Sequence, residues 1–259
     1  MAMSITVTTQ PAGPHVAEVR FSKPPFNYAC PDLLEQIADA LDAIDADPEI
    51  RCSVLSAEGK AFCAGADLAG DEAIAGDDGM AAIGRLYVQA ERLFRRRKPM
   101  VAAIHGAAIG AGLGLSLAAD FRVAGPGARF SSNFVRLGFH PGFGLTHTLA
   151  RVVGIQKANW LMLSAERMKP DDALACGLAD RLSGEDCAGA ARAMAGEIVA
   201  NAPLALIAVR RTMVGGLADA AVAAMRHEHA EQTALWTTAD YAEGVASVFE
   251  RRDAHFTGR

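Results

Sequence analysis

Residues 98–120 read KPMVAAIHGAAIGAGLGLSLAAD, and they place glycine at positions 106, 110, 112 and 114 within a run of small apolar side chains. Glycine costs roughly 1 kcal/mol relative to alanine inside a helix, so this density needs a tight turn, a close backbone contact or exposed backbone donors. Three other interpretations compete with a functional one: a transmembrane helix, an ordinary buried strand and helix, and a flexible linker. The stretch therefore indicates a place where the backbone itself makes the important contacts.

The transmembrane interpretation is the weakest of these. A membrane-spanning helix needs about 20 predominantly apolar residues, and residues 101–119 are nearly long enough. Alanine and glycine insert weakly, however, His105 interrupts the run, and the sequence holds no second candidate span. Residues 1–10 have neither a basic region nor an apolar core, so no secretory signal is predicted.

Composition narrows the class of protein. The chain has 259 residues, of which 51% are hydrophobic and 21% charged, so it can bury the core of a soluble α/β protein. A net charge of −5 argues against nucleic acid as the main partner. The five cysteines are scattered and lack C-x-x-C spacing, which predicts reduced thiols and a cytoplasmic location.

Short apolar runs and helical periods alternate along the first half of the chain. Strands are predicted at 5–9, 16–21, 51–56, 100–104 and 122–124, and helices at 32–46, 80–97 and 113–119. Helical patterns dominate from residue 145 onward, and Pro203 opens a helical tail. These patterns predict a core over residues 1–200 and a helical region over residues 201–259.

The predicted helix 80–97 carries two polar side chains, Tyr87 and Glu91, in an otherwise apolar stripe. Residues 95–98, RRRK, follow it and are interpreted as cations that solvate the C-terminal end of the helix dipole. Residues 69–79 before it are rich in glycine, alanine and acids, which predicts a surface loop or a short helix.

Several common catalytic motifs are missing from the sequence. It has no phosphate-binding loop, no H-E-x-x-H motif and no nucleophile elbow, and GAGLG at 110–114 lacks the context of a dinucleotide-binding turn. His227 and His229 are two positions apart, so on a helix they point to different faces and predict surface histidines in place of a metal site.

Two glycine-rich turns remain, at 64–67 and 110–114, and each follows a β-like run. If these turns face each other, their backbone N–H groups would converge on one oxygen atom and form an oxyanion hole. Glycine turns after strands are also common for structural reasons alone, so the pattern by itself leaves both interpretations open.

Five segments carry a more specific signal: FCAGADL at 62–68, the stretch 98–120, residues 137–154 with LGFHPG and LARVVG, ALACGL at 173–178, and DYAEG at 240–244. In this order, and over almost the whole chain, they resemble the crotonase (enoyl-CoA hydratase/isomerase) superfamily. The resemblance implies an α/β fold, a spiral of ββα units with a helical C-terminal region that drives formation of a trimer or a dimer of trimers.

The resemblance also implies a ligand, an acyl-CoA thioester whose CoA is part of the substrate, with no permanently bound cofactor and no metal. The thioester carbonyl would accept from the N–H groups of Ala66 and Ala111. CoA binding would involve the turn residues around these donors and a cation near the C-terminus, namely Ala64 beside the adenine, Gly65, Asp67, Gly110 and Arg251. Asp67 is expected to cap a following helix and not to react.

The departures from the family pattern concern the reaction. Hydratases of this family use two glutamates, and the matching positions here are Gly114 and Phe134. Relatives with other reactions carry an acid at positions that match Pro141 or Gly142, which are also not acids. Ordinary hydration is therefore not the predicted reaction.

Three side chains are candidates to replace the missing acids: His140 in the glycine-proline turn, Tyr87, and Glu91 one helical turn further. Each also has a purely structural interpretation, and Asp71, Asp77 and Asp78 would enter the site if their loop folds over the ligand. Two hypotheses follow. The first is an enzyme that processes an acyl-CoA through an enolate by isomerisation, hydrolysis, decarboxylation or C–C cleavage, and the second is a non-catalytic acyl-CoA-binding protein.

Overall fold

The computed structural model of the protein describes residues 4–67 and 79–259. The predicted acidic loop, with Asp71, Asp77 and Asp78, lies outside these residues. The strands that the structure describes are β1 (Thr6–Pro11), β2 (Val16–Ser22), β3 (Cys52–Ala57), β4 (Ala61–Cys63), β5 (Met100–Ile104), β6 (Ala107–Ile109), β7 (Phe121–Ala124), β8 (Arg129–Ser131) and β9 (Arg181–Leu182).

The helices begin with α1 (Pro31–Ala46), and a short 3-10 helix at Phe134–Leu137 precedes α4. The remaining α-helices are α2 (Gly79–Arg95), α3 (Ala111–Ala118), α4 (Leu145–Val153), α5 (Ile155–Ser164), α6 (Pro170–Ala175), α7 (Cys187–Val199), α8 (Pro203–Met213), α9 (Leu217–Leu235) and α10 (Ala239–Glu250).

Two sheets run side by side through the described part of the chain. The larger has the strand order β1-β2-β3-β5-β7-β9 and is parallel except for the β1–β2 pair, and the smaller has the parallel order β4-β6-β8. Successive segments therefore place one strand in each sheet and then a helix, as in β5-β6-α3. This repetition forms a spiral, and it confirms the predicted α/β class.

The core follows from the two-residue period of the strands, which sends neighbouring side chains to opposite faces. Leu55 and Ala102 belong to the larger apolar cluster, which α1, α2 and α3 cover. Val54 and Val101 belong to a second cluster on the other face, which α7 covers. The larger sheet is thus buried on both faces, as is usual for parallel sheets.

Strand β6 is the main element that the sequence pattern did not predict. It has three residues inside an alanine-rich and glycine-rich run, too few for a periodic signal, and it forms because it pairs with β4 and β8. Helix α3 then begins at Ala111, two residues before its predicted start. Both features come from tertiary pairing and not from local propensity.

The cationic run after α2 is less solvated than predicted. Arg96 and Lys98 are buried, and Arg96 pairs with Asp120 at 2.6 Å. Arg210 on α8 pairs with the same carboxylate at 3.0 Å. These cations therefore have fixed partners, and the Asp120 cluster joins α8 to the end of the stretch 98–120.

The C-terminal helices pack back onto the rest of the chain. Helix α9 contacts α2 and α4, and α10 contacts the 3-10 helix. The boundary near residue 200 stays a prediction. Within the described residues, no single helix is long and apolar enough to cross a membrane. Helices α7 and α8 meet the length and composition criteria only when taken together, and they are bent by 105° relative to each other.

Candidate active site

The two glycine-rich turns lie next to each other. Strands β4 and β6 pair in parallel, with Ala61 opposite Ala107 and Cys63 opposite Ala108, so the turns that follow them leave the same edge of the small sheet. A Cβ atom placed on Gly65 would lie 3.5 Å from the carbonyl oxygen of Ile109. The sheet therefore brings together the segments 64–67 and 110–111.

Both proposed donors have an uncommitted N–H group within the described residues. Ala111 is the first residue of α3, where helix geometry leaves the N–H without an intrahelical acceptor. Around Ala66, the Gly65 carbonyl accepts from Ala29 and the Asp67 N–H donates to the Ala29 carbonyl, while no described atom accepts from the Ala66 N–H. The start of α3 also adds the positive end of a helix dipole to this place.

Close backbone contact accounts for the glycines at the start of α3. A Cβ on Gly112 would lie 2.0 Å from the carbonyl oxygen of Cys63, so only glycine lets α3 approach β4 this closely. Gly110 has φ of +54°, a conformation that glycine adopts at little cost. The tight approach of α3 is what places Ala111 beside the turn that contains Ala66.

A cavity of about 360 Å³ opens at these turns. Ala64, Gly65, Ala66, Asp67, Gly110 and Ala111 all line it. Its other walls are largely apolar and come from α2, the 3-10 helix, the following turn and α10, with Leu86, Phe134, Phe139, Phe143 and Val245 among them. Tyr87 lines the cavity as well, so seven of the predicted site residues share one cavity.

The two positions that would hold hydratase glutamates are filled differently. Phe134 on the 3-10 helix lines the cavity with an apolar ring. Gly114 lies under the side chain of Phe143, because a Cβ at 114 would be 2.6 Å from the Cβ, Cγ and Cδ1 atoms of that residue. Phe143 is 1% exposed, so its ring occupies the space that a side chain at 114 would need.

Asp67 is the one carboxylate among the described residues that line the cavity. Its Oδ2 atom lies 3.5 Å from Nζ of Lys23, and both side chains are buried. Burial, and then the charge of Asp67, raises the pKa of the Tyr28 phenol nearby. The ion pair places this acid beside the Ala66 turn with its charge balanced.

His140 lies in the predicted glycine-proline turn but is not among the residues that line the cavity. Its Nδ1 atom is 2.7 Å from the carbonyl oxygen of Pro141, which can only accept, so Nδ1 carries the hydrogen. The ring faces His227 with centroids 6.2 Å apart. Its Nε2 atom is left as the nitrogen that can accept a proton.

Tyr87 lines the cavity, and its hydroxyl donates to Oε1 of Gln232 at 2.9 Å. Burial, and then the negative charge of Glu228, raises the pKa of the Tyr87 phenol, so the neutral hydroxyl persists at neutral pH. Glu91 lies outside the cavity lining and pairs with Arg95 at 2.7 Å on the surface of α2. Of these two, only Tyr87 is in a position to touch a ligand in the cavity.

Arg251 is an exposed residue at the C-terminal cap of α10, with φ of +54°, and it does not line the cavity. Helix α10 does contribute Val248 and Phe249 to the wall. Whether Arg251 contacts CoA stays a prediction. Within the described residues, no group of three or more His, Cys, Asp and Glu side chains is arranged to hold a metal ion.

Sequence reasoning missed the polar side chains that α9 sends towards the site. Gln232 lines the cavity and Glu228 is fully buried, although its neighbours His227 and His229 were predicted to lie on the surface. His227 is exposed as predicted, whereas His229 is partly buried and contacts the Met80 carbonyl. The buried positions 221, 225, 228 and 232 follow a helical period, and that was the available signal.

Comparison with known proteins identifies relatives of this chain. The enoyl-CoA hydratase/isomerase family model matches residues 12–259. A probable enoyl-CoA hydratase of Mycobacterium tuberculosis is 36% identical over 85% of this chain and 86% of its own. A short-chain-enoyl-CoA hydratase of Clostridium acetobutylicum is 30% identical over 92% of each chain.

A solved structure agrees with the fold. The enoyl-CoA hydratase/isomerase of Pseudoalteromonas atlantica superposes with a TM-score of 0.83 and 27% identity, covering 98% of this chain and 100% of the other. The predicted crotonase-like spiral is thereby confirmed. The spiral, the paired turns and these matches together show that the chain belongs to the enoyl-CoA hydratase/isomerase family, within the crotonase superfamily.

Proposed function

We propose that the protein binds an acyl-CoA thioester in the cavity and stabilises its enolate through the N–H groups of Ala66 and Ala111. The observation that carries this proposal is the pair of uncommitted donors at the ends of adjacent parallel strands, on the wall of one cavity. In this family CoA belongs to the substrate, so no permanently bound cofactor is needed.

The chemistry follows from where charge develops. When a proton leaves the α-carbon of a thioester, negative charge moves to the carbonyl oxygen. Two fixed N–H donors and the start of α3 would meet that charge without reorganising, which typically contributes several kcal/mol to the transition state. The apolar walls strengthen this interaction because they exclude water.

We propose further that ordinary hydration is not the reaction. Gly114 is covered by Phe143, Phe134 presents an apolar ring, and Asp67 is paired with Lys23. The arrangement favours a reaction that puts negative charge on the thioester oxygen but needs no pair of carboxylates. Isomerisation, decarboxylation and C–C cleavage do so through an enolate, and thioester hydrolysis does so through the tetrahedral oxyanion that forms when water adds to the carbonyl carbon and that collapses with loss of the CoA thiolate. Tyr87 lines the cavity, but its hydroxyl hydrogen is donated to Gln232, and His140 and Glu91 are candidates that would have to act from outside the described lining.

Hydration is the second candidate, because the relatives from Mycobacterium tuberculosis and Clostridium acetobutylicum are named hydratases. A panel of acyl-CoA esters, with binding and turnover measured together, separates the candidates. Hydration of crotonyl-CoA at about 1 to 1,000 per second would refute the non-hydratase proposal. Binding without turnover of any ester would favour the non-catalytic binding protein, and no binding to any ester would refute acyl-CoA as the ligand.

The oxyanion donors can be tested by removing one N–H group. Ala111 is at the first position of α3, where proline is tolerated, so Ala111→Pro deletes the donor and leaves the helix intact. We expect turnover to fall about 100- to 1,000-fold. Ala111→Gly keeps the N–H and serves as the matched control, and equal activity in both variants would refute the role. His140→Ala with unchanged turnover would remove His140 as a catalytic candidate.

We also propose that the protein assembles as a homotrimer or a dimer of trimers. Helix α8 exposes Leu204, Val209 and Met213 by 81%, 61% and 66%, which is unusual for large apolar side chains on one short helix. Sedimentation equilibrium of wild type and of Leu204→Lys tests this, with a lower mass expected for the variant.

Because Cys52, Cys63, Cys176 and Cys187 are free thiols, we propose a reducing, cytoplasmic location.

A further inference from the structure

The turn at residues 140–146 has a strained conformation that other parts of the chain must hold. Phe143 has φ of +64° and Gly144 has φ of +72°, so two successive residues are left-handed. The left-handed region costs a bulky residue such as phenylalanine free energy of its own. The same residue covers Gly114 and lines the cavity, so its conformation shapes the site.

Glu228 on α9 holds the C-terminal half of this turn. Its Oε2 atom accepts from the Gly144 N–H at 2.7 Å, and its Oε1 atom accepts from the Thr146 N–H at 2.9 Å and the Thr146 hydroxyl at 2.7 Å. Gly144 is the N-cap of α4 and has no side chain to cap it. The buried carboxylate supplies that cap from another helix.

Gln232, four residues later on α9, holds the N-terminal half. Its Nε2 atom donates to the His140 carbonyl at 3.0 Å, and its Oε1 atom accepts from the Tyr87 hydroxyl. A Cβ on Gly142 would lie 2.0 Å from Oη of Tyr87 and 2.6 Å from Nε2 of Gln232. The amide therefore ties the turn to α2 and leaves no space for a side chain at position 142.

Together these contacts hold one wall of the cavity. Glu228 and Gln232 are 0% and 1% exposed, and between them they hold residues on both sides of Phe143. Backbone groups on both sides of Phe143 are thereby bound to α9. The Phe143 ring therefore keeps a ligand out of the volume that it fills because α9 holds the turn.

We propose that Glu228 and Gln232 are positioning residues that limit the length of the acyl group by fixing Phe143 in the wall of the cavity. This inference rests on the proposed acyl-CoA function. The substrate of the protein would be a short acyl thioester, because a longer acyl chain would need the volume that Phe143 fills. The residues act through the turn and do not touch the reacting atoms.

The test compares length profiles. Dissociation constants of full-length wild type, Glu228→Gln and Gln232→Leu are measured for butyryl-, hexanoyl-, octanoyl- and decanoyl-CoA. We expect wild type to favour the short esters, and each variant to shift the preference towards the long esters by about tenfold or more, which is the usual range for one or two methylenes. Glu231→Gln, an exposed site on the same helix, is the control and keeps the wild-type profile.

A purely structural role would weaken binding of all four esters equally, and that result would overturn the proposal. Gln232→Glu keeps the acceptor for Tyr87 and loses the donor to His140, so it tests the turn contact without removing volume. Crystal structures of the variants give a readout that needs no ligand. Phe143 is expected to leave the left-handed region, and an unmoved ring would overturn the proposal. Failure of wild type to bind any ester would instead refute the proposed function.

Discussion

Substitution of Gly114 by alanine is the most direct test of the packing that closes the site. The new Cβ would lie 2.6 Å from three atoms of Phe143, whereas ordinary contacts begin near 3.4 Å, so the ring or α3 must move by 0.8 Å. Phe143 is buried and its turn is held by Glu228, so this overpacking should cost about 1–3 kcal/mol. Alanine returns up to about 1 kcal/mol through helix propensity.

The expected net loss of stability is about 1–2 kcal/mol, since three severe contacts place the overpacking cost in the upper part of its range. Urea unfolding at fixed protein concentration measures it, because any oligomer makes stability depend on concentration. Gly196→Ala is the matched control. Gly196 is exposed in the last turn of α7 with no atom within 4 Å of its added Cβ, so alanine should stabilise the protein by about 0.5–1 kcal/mol.

A double-mutant cycle identifies the contact responsible. In a Phe143→Gly background, which removes all three contacting atoms, Gly114→Ala should lose its cost, giving a coupling energy of about 1–3 kcal/mol between the two positions. If Gly114→Ala alone is as stabilising as Gly196→Ala, the ring yields freely, and the claim that Phe143 blocks position 114 is refuted. The same result would mean that position 114 has room for a catalytic side chain.

Three further predictions concern buried ionisable groups. Asp120→Asn should cost about 3–5 kcal/mol at pH 7, because it leaves Arg96 and Arg210 buried without their charged partner; chemical unfolding measures it. Burial raises the pKa of Glu228, so the native state binds the extra proton, and the unfolding free energy should fall as pH rises from about 4.5, with a smaller slope in Glu228→Gln. Burial raises the pKa of Cys63 to about 11, so iodoacetamide at pH 8 should modify it only after unfolding, as mass spectrometry would show.

Each has a result that would contradict it. Burial opposes ionisation of Asp120, but its two arginines lower its pKa overall, so its stabilisation should be lost as pH falls through that lowered value. If the unfolding free energy of Asp120→Asn falls with decreasing pH as steeply as that of wild type, the prediction for Asp120 is contradicted. An identical pH slope in wild type and Glu228→Gln would mean that another group titrates, and rapid native alkylation would mean that Cys63 is reachable.

The sequence alone determined the fold class, and it named candidate backbone donors that stay a prediction. Periodic strands and helices predicted an α/β protein, the two glycine-rich turns left an oxyanion hole and a purely structural role both open, and the family resemblance then implied the oxyanion hole and named the ligand class. These features are local, since a turn's need for glycine or a strand's alternation is written in a few neighbouring residues. Ala66 and Ala111 were named as donors because the family resemblance carries the two donor positions over to these turns.

Only the tertiary structure decided what surrounds those donors. Position 114 was predicted to lack an acid, but the presence of Phe143 above it depends on a left-handed residue that no local pattern indicates. Glu228 lies between two histidines that were predicted to be on the surface, yet it is buried and accepts from the Gly144 N–H, 84 positions away in the sequence. Such contacts form because buried polar groups must find partners wherever the fold brings them together, and sequence distance carries no information about that pairing.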